Sequence, residues 1–147
     1  MVSFIDLKSF INTIIVIQNM PKVFLIDDDY IVIYLTKLTI NETLPNLEVV
    51  SFEYALKALI KLKELADTKQ DFPEFILLDT NMPMVDGWEF LADYEKFPIA
   101  VRSKCKLMMY SSSIDLQEVS KSKSYTCVAG YVSKPISKEV LAELFLQ

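Results

Sequence analysis

The stretch from Phe75 to Gly87, with the sequence FILLDTNMPMVDG, decides the fold of this chain. Its first four residues are apolar, which is typical of a strand buried on both faces of a parallel sheet. Asp79 follows at once, so its carboxylate is expected at the carboxyl end of that strand, where α/β sheets bind ligands. An aspartate in this place serves as a nucleophile or a metal ligand, or it only caps the next turn.

Apolar runs and amphipathic stretches alternate along the rest of the chain, which predicts an α/β fold with a doubly wound, five-stranded parallel sheet covered by helices on both faces. In the first helix we expect Ile31, Leu35 and Leu38 to face the core. The strands are predicted at Val23–Ile26, Leu47–Phe52, Phe75–Leu78, Lys106–Tyr110 and Val128–Val132. The helices are predicted at Tyr30–Asn41, Tyr54–Asp67, Gly87–Lys96, Ile114–Ser124 (the least firmly packed) and after Ser137.

Composition limits the function. The 147 residues suit one globular domain, and a net charge of −5 argues against a nucleic-acid surface, which needs clustered Lys and Arg. The sequence contains no His, so imidazole catalysis and His metal sites are excluded. Cys105 and Cys127 lack metal-site spacing and are expected to be free thiols near strand starts in a reducing cytosol.

Residues 1–19 precede the regular pattern, and we expect the domain to span 20–147. The apolar run at 10–17 is too short to cross a bilayer, and it lacks the basic flank of a secretory signal. Our hypothesis is that this segment is an extension packed on the domain surface, or an over-long start assignment. The sequence of residues 1–19 suggests no function.

Polar residues follow four of the predicted strands. Asp27 and Asp28 should lie beside Asp79, because the first and third strands of such a sheet are neighbours. Clustered carboxylates repel one another, and Mg²⁺ would relieve that repulsion. Lys134 and Ser111 would bring a cation and a hydroxyl to the same sheet edge. Each also has a plain alternative: helix-capping residues for the aspartates and the serine, and a surface lysine before a proline.

The chain resembles the receiver domains of two-component response regulators, from Lys22 to its end. The resemblance implies a flavodoxin-like strand order of 2-1-3-4-5, as in the stand-alone chemotaxis receiver. It rests on four segments in the family's order and spacing: Leu25–Asp28, Leu77–Gly87, Met109–Ser112 and Gly130–Pro135.

The resemblance also implies the site. Asp79 would be the phosphoacceptor, and Mg²⁺ would be held by Asp28 and Asp79 directly, by the main-chain oxygen of Asn81, and by Asp27 through water. Lys134 would neutralise the transferring phosphoryl group, and its bond to Pro135 is expected to be cis. Asp29 matches a variable position and is left out of the site.

Signalling would follow from a switch at Ser111 and Tyr131. The chain would be a cytoplasmic phosphoacceptor rather than an enzyme, taking phosphate from a histidine kinase or a histidine phosphotransfer protein. Its last helix–strand–helix face would contact a downstream protein, with no nucleic acid or membrane involved and homodimerisation left open. Ser111 stands where many members have Thr, and Ile33 stands where a basic residue is common.

Two other functions remain open at this point. Ile26-Asp27-Asp28-Asp29 superficially fits the Asp-x-Asp signature of haloacid-dehalogenase-type phosphohydrolases, with Asp27 as nucleophile and Asp29 as acid/base. That alternative leaves the Asp79 segment unexplained and little room for a substrate cap. The second alternative is a receiver-like binding module that works without phosphorylation.

Overall fold

The computed structural model describes residues 6–18 and 20–146. Its centre is a parallel sheet of five strands in the order β2-β1-β3-β4-β5, which confirms the predicted architecture. β1 and β3 are neighbours, with Ile26 paired to Leu78, so the ends of these two strands meet. The strands are β1 (Lys22–Ile26), β2 (Glu48–Phe52), β3 (Phe75–Asp79), β4 (Lys106–Ser111) and β5 (Val128–Ser133).

Helices cover both faces of the sheet, because its central strands are apolar throughout and need cover on each side. Leu62, Phe90 and Tyr94 pack on one face and Ile33, Ile40 and Leu141 on the other. The helices are α1 (Leu7–Gln18), α2 (Tyr30–Thr43), α3 (Ala55–Asp67), α4 (Gly87–Tyr94), α5 (Ile99–Arg102), α6 (Leu116–Ser122) and α7 (Lys138–Phe145). The short α5 was not predicted, since four residues give no periodic signal.

The predicted inward face of α2 is wrong. Ile31, Leu35 and Leu38 are 66%, 46% and 44% exposed, and the buried side chains of this helix are instead those of Ile33, Thr36 and Ile40. The buried stripe contains a threonine, which a search for apolar periodicity passes over. The hydroxyl of Thr36 lies 2.9 Å from that of Tyr110, and this hydrogen bond lets the polar residue face the core.

Helix α6 is weakly anchored, as its composition predicted. Within the described residues, its one buried side chain is the small polar Ser122, whereas α7 buries Leu141. Cys105 and Cys127 are free and partly buried just before β4 and β5. Within residues 6–18 and 20–146, no helix is long and apolar enough to cross a membrane.

The segment before β1 forms α1, and every side chain from Asp6 to Ile15 is exposed. Over residues 6–15 the structure therefore differs from the expectation that this segment packs on the domain surface. The boundary between residues 19 and 20 remains a prediction, and residues 1–5 lie outside the part that is described.

Candidate functional site

Three carboxylates meet where β1 and β3 end. Asp27 directly follows β1, Asp79 is the last residue of β3, and one oxygen from each of Asp27, Asp28 and Asp79 lies within 4.8 Å of the others. Asp27 is fully buried and Asp79 is 6% exposed, whereas Asp28 is exposed. The cluster is therefore a recess with two buried carboxylates and a third at its rim.

The ammonium group of Lys134 lies between the two buried carboxylates. Its Nζ atom is 3.1 Å from Oδ1 of Asp79 and also contacts Oδ2 of Asp27, and only 10% of its side chain is exposed. Burial alone would lower the pKa of Lys134, but its hydrogen bonds and Coulombic attraction to Asp27 and Asp79 raise it above the ordinary value. Lys134 is therefore a fixed cation beside Asp79.

The environment of Asp79 disfavours the charge of its carboxylate. Burial, followed by repulsion from Asp27, raises its pKa from 3.8 to about 6, although Lys134 and the main-chain N–H of Asn81 act in the opposite direction. That N–H donates to Oδ1 of Asp79 over 3.3 Å. Since Lys134 compensates only in part, a further cation at this recess would be bound favourably.

Asp29 points away from this recess. Its Oδ1 accepts hydrogen bonds from the main-chain N–H groups of Ile31 and Val32, at 2.9 and 3.3 Å, and so caps the N-terminus of α2. The acid/base role that the hydrolase alternative gives to Asp29 has no support in this geometry.

The loop after Asp79 is held by a close backbone contact at Gly87. The Gly87 N–H donates to the Thr80 carbonyl over 3.2 Å, and a Cβ at Gly87 would lie 2.5 Å from the main-chain oxygen of Asp79. Asp86 and Glu89 form a capping box that starts α4 immediately behind this contact. Sequence reasoning placed Gly87 in the motif without giving it a role, since close approach between distant backbone segments has no local signal.

Ser111 and Tyr131 lie on β4 and β5 beside the recess. The buried Ser111 hydroxyl donates to the Ser113 carbonyl over 2.9 Å. The Tyr131 hydroxyl donates to Oε2 of Glu118 on α6 over 2.7 Å. Burial and this hydrogen bond raise the pKa of Tyr131 to about 12. Sequence reasoning missed Glu118, because nothing in the spacing of two residues on different elements reveals their contact.

The donor set of the recess suits a hard divalent cation. Asp27, Asp28 and Asp79 offer only oxygen ligands, and the exposed position of Asp28 leaves one side of the recess open to water or phosphate. Lys134 contacts the two buried carboxylates, and the residues that would hold a metal ion beside it are Asp27, Asp28 and Asp79.

Residues 23–145 match the model of the response regulator receiver domain. The chain belongs to this family. The predicted cis bond between Lys134 and Pro135 is present. Receiver domains are the signalling phosphoacceptors of two-component systems and are generally not enzymes.

Solved receiver structures resemble the chain along nearly their whole length. A two-component response regulator from Cytophaga hutchinsonii is 32% identical, with a TM-score of 0.78 and coverage of 86% of this chain and 95% of that one. A receiver protein from Dyadobacter fermentans is 26% identical, with a TM-score of 0.73 and coverage of 84% and 93%. The phosphorylated cyanobacterial phytochrome response regulator RcpA is 27% identical, with a TM-score of 0.67 and coverage of 84% and 87%. No curated protein matches the chain significantly.

Proposed function

We propose that this chain acts as a single-domain response regulator that accepts a phosphoryl group on Asp79 from a histidine kinase or a histidine phosphotransfer protein. The observation that carries the proposal is the position of Lys134, whose ammonium lies 3.1 Å from Asp79 in a recess with two further carboxylates. The phosphorylated relative RcpA shares 27% of its sequence with the chain and supports the same reaction here.

In the proposed reaction an Asp79 oxygen attacks the phosphorus of a phosphohistidine. The new P–O bond forms as the P–N bond breaks, and the imidazole leaves as a neutral base after taking up a proton from solvent. Lys134 neutralises charge on the phosphoryl oxygens, which is the main demand of a loose transition state. Mg²⁺, held by Asp28, Asp79, the main-chain oxygen of Asn81 and, through water, Asp27, would supply further positive charge when bound.

The switch would begin at Ser111. Its hydroxyl bonds to the Ser113 carbonyl, and a phosphoryl oxygen on Asp79 would be a stronger, charged acceptor. Turning the hydroxyl toward that group would open space for Tyr131 and loosen its bond to Glu118. Because α6 buries only Ser122, it could then shift against β5 at low cost.

The surface formed by α6, β5 and α7 is therefore the proposed output face, toward a downstream protein. An acidic chain with a net charge of −5 favours a protein partner over nucleic acid. We place the protein in the cytoplasm, where the kinase domains of two-component systems work.

Phosphorylation with acetyl phosphate and Mg²⁺ tests the proposal. We expect a mass increase of one phosphoryl group that is lost with hydroxylamine, and no increase for Asp79→Asn. Asp93→Asn, at an exposed position of α4, is the matched control and should be modified like the natural sequence. Steady phosphoester hydrolysis that survives Asp79→Asn would favour the hydrolase, and a chain that takes no phosphate would favour the binding module.

A further inference from the structure

Helix α1 carries an apolar stripe that the described part of the chain leaves uncovered. The exposed fractions along it range from 37% for Ile14 to 72% for Leu7. The opposite side of the helix is polar, with Lys8, Ser9, Asn12 and Thr13. The stripe consists of five side chains at helical spacing: Leu7, Phe10, Ile11, Ile14 and Ile15.

Helix α2 carries a second uncovered stripe on the side that faces away from the sheet. Its exposed fractions range from 44% for Leu38 to 72% for Tyr30. The opposite side of α2 packs on the sheet and cannot turn outward without losing the Thr36–Tyr110 hydrogen bond. The stripe consists of Tyr30, Ile31, Tyr34, Leu35 and Leu38.

The connection after α1 is too short for the two stripes to meet within one chain. The path from Gln18 to Lys22 spans four Cα–Cα steps, which is at most about 14 Å. A helix lying on the outer side of α2 would be about 18–20 Å from β1, one strand-to-helix layer plus one helix-to-helix spacing. The α1 stripe therefore reaches an α2 stripe on another copy more readily than its own.

The available area favours an exchange of α1 helices between copies over simple pairing of two α1 helices. The ten side chains of the two stripes expose on the order of 1,000 Å² per copy, so a reciprocal contact would bury about the 1,600 Å² of a standard interface. Pairing of α1 with α1 would use only half of that area. A membrane surface is a poor occupant, because interfacial helices need a basic polar face and α1 has only Lys8 in a chain of net charge −5.

We propose that two copies of this chain form a two-fold symmetric dimer in which α1 of each copy packs on the exposed α2 stripe of the other. Such a contact is self-complementary, since each copy contributes both surfaces. It lies on the opposite side of the domain core from α3 and α4, which pack on the other face of the sheet.

Sedimentation velocity and light scattering on the full chain test this dimer. We expect a dimer at tens of micromolar for the natural sequence, and at least tenfold weaker association for the Phe10→Glu, Ile14→Glu double variant and for Leu35→Glu. Ile60→Glu is the matched control, since Ile60 is 60% exposed on α3 outside both stripes, and it should stay dimeric. Cooperative thermal unfolding should be retained in all of them, because each substitution is at a side chain that is more than a third exposed.

Mixing the α1 double variant with Leu35→Glu leaves one intact α1–α2 contact per pair, so a weak heterodimer is expected where neither variant associates alone. A Leu35→Glu chain that remains fully dimeric would overturn the exchange in favour of α1–α1 pairing. A natural chain that is monomeric at 100 µM would also overturn it. So would binding of the monomer to vesicles of phosphatidylglycerol and phosphatidylcholine through α1.

Discussion

Tyr131 donates a hydrogen bond of 2.7 Å to Glu118, and this bond ties β5 to the weakly packed α6. We expect Glu118→Ala to free α6, because a hydrogen bond to a charged acceptor stabilises by about 1 kcal/mol where it is partly exposed. Trp88 reports on α6, since the Lys121 ammonium lies 4.4 Å from its ring centroid and it is the sole tryptophan. The fluorescence change on adding BeF₃⁻ and Mg²⁺ should be smaller in the variant than in the natural sequence.

Two other substitutions control this measurement. Glu118→Gln keeps an acceptor for Tyr131 and should respond nearly as the natural sequence does. Glu139→Ala removes an exposed acid from α7 and should change nothing. An unaltered BeF₃⁻ response in Glu118→Ala would show that this bond has no part in the resting state.

Gly87→Ala should damage the loop after Asp79. The new Cβ would lie 2.5 Å from the Asp79 carbonyl oxygen and 3.0 Å from the Thr80 Cα, and both are backbone atoms that move only with the chain. We expect a loss of roughly 1–3 kcal/mol in the free energy of unfolding and slower labelling by acetyl phosphate. Chemical denaturation and intact-protein mass spectrometry measure the two effects.

Gly130→Ala is the matched control, since its Cβ would meet the end of the Met108 side chain at 2.7 Å. A methionine end can move aside, so this variant should lose less stability and keep normal labelling. Equal effects of the two substitutions would refute the role given to the backbone contact at Gly87.

Thr36→Val tests the polar contact that orients α2. The Tyr110 hydroxyl lies 2.9 Å from Thr36 Oγ1 and accepts from the Ile136 N–H over 3.2 Å. Losing the Thr36 hydroxyl leaves the buried Tyr110 hydroxyl without this partner, which should cost about 1–2 kcal/mol in urea unfolding. Thr36→Ser retains the hydroxyl and should recover part of that loss. A valine variant as stable as the natural sequence, beside a less stable serine variant, would mean that only shape matters at this position.

Sequence patterns predicted the sheet because each of its central strands is continuously apolar between polar ends. Phe75–Leu78 and Val23–Ile26 needed no knowledge of their neighbours to be recognised as buried strands. The site residues Asp27, Asp79 and Lys134 came together because parallel strands bring their carboxyl ends to one edge. What was predictable was thus set by local pattern and by topology.

The errors arose where a contact between distant residues outweighs the local pattern. Leu35 and Leu38 are as apolar as a core residue. Thr36 nevertheless faces the core, because its hydroxyl forms a hydrogen bond with that of Tyr110. Glu118 and the close approach of Gly87 to Asp79 were missed for the same reason. Residue spacing does not reveal any of these contacts, because each joins residues on two different helices or strands.

The raised pKa of Asp79 predicts how pH acts on stability without metal. Burial holds the pKa of Asp79 near 6 in the folded chain, against an ordinary value of 3.8, so the folded state binds the proton more tightly. The contribution of Asp79 to the free energy of unfolding is therefore fully present below about pH 4. It falls by up to about 3 kcal/mol as the pH rises through 6. Asp79→Asn, which stays uncharged, should raise the free energy of unfolding by up to about 3 kcal/mol at pH 7 in EDTA and change it little at pH 4.

At pH 7, Mg²⁺ should reverse the difference in the free energy of unfolding between Asp79→Asn and the natural sequence. The cation binds the folded carboxylate cluster and stabilises the natural chain by mass action, while the variant has lost one of its ligands. Urea unfolding at pH 4 and 7, each with EDTA and with 10 mM Mg²⁺ (about the concentration needed for a weak carboxylate site), gives the comparison. Asp93→Asn should follow the natural sequence under all four conditions, because its carboxylate is exposed and lies 2.7 Å from Lys96 rather than in the recess. Two results would contradict this account: a change in the free energy of unfolding of the same size at both pH values, or equal stabilisation of Asp79→Asn and the natural sequence by Mg²⁺. Either would mean that the buried charge of Asp79 does not lower the stability of the folded chain.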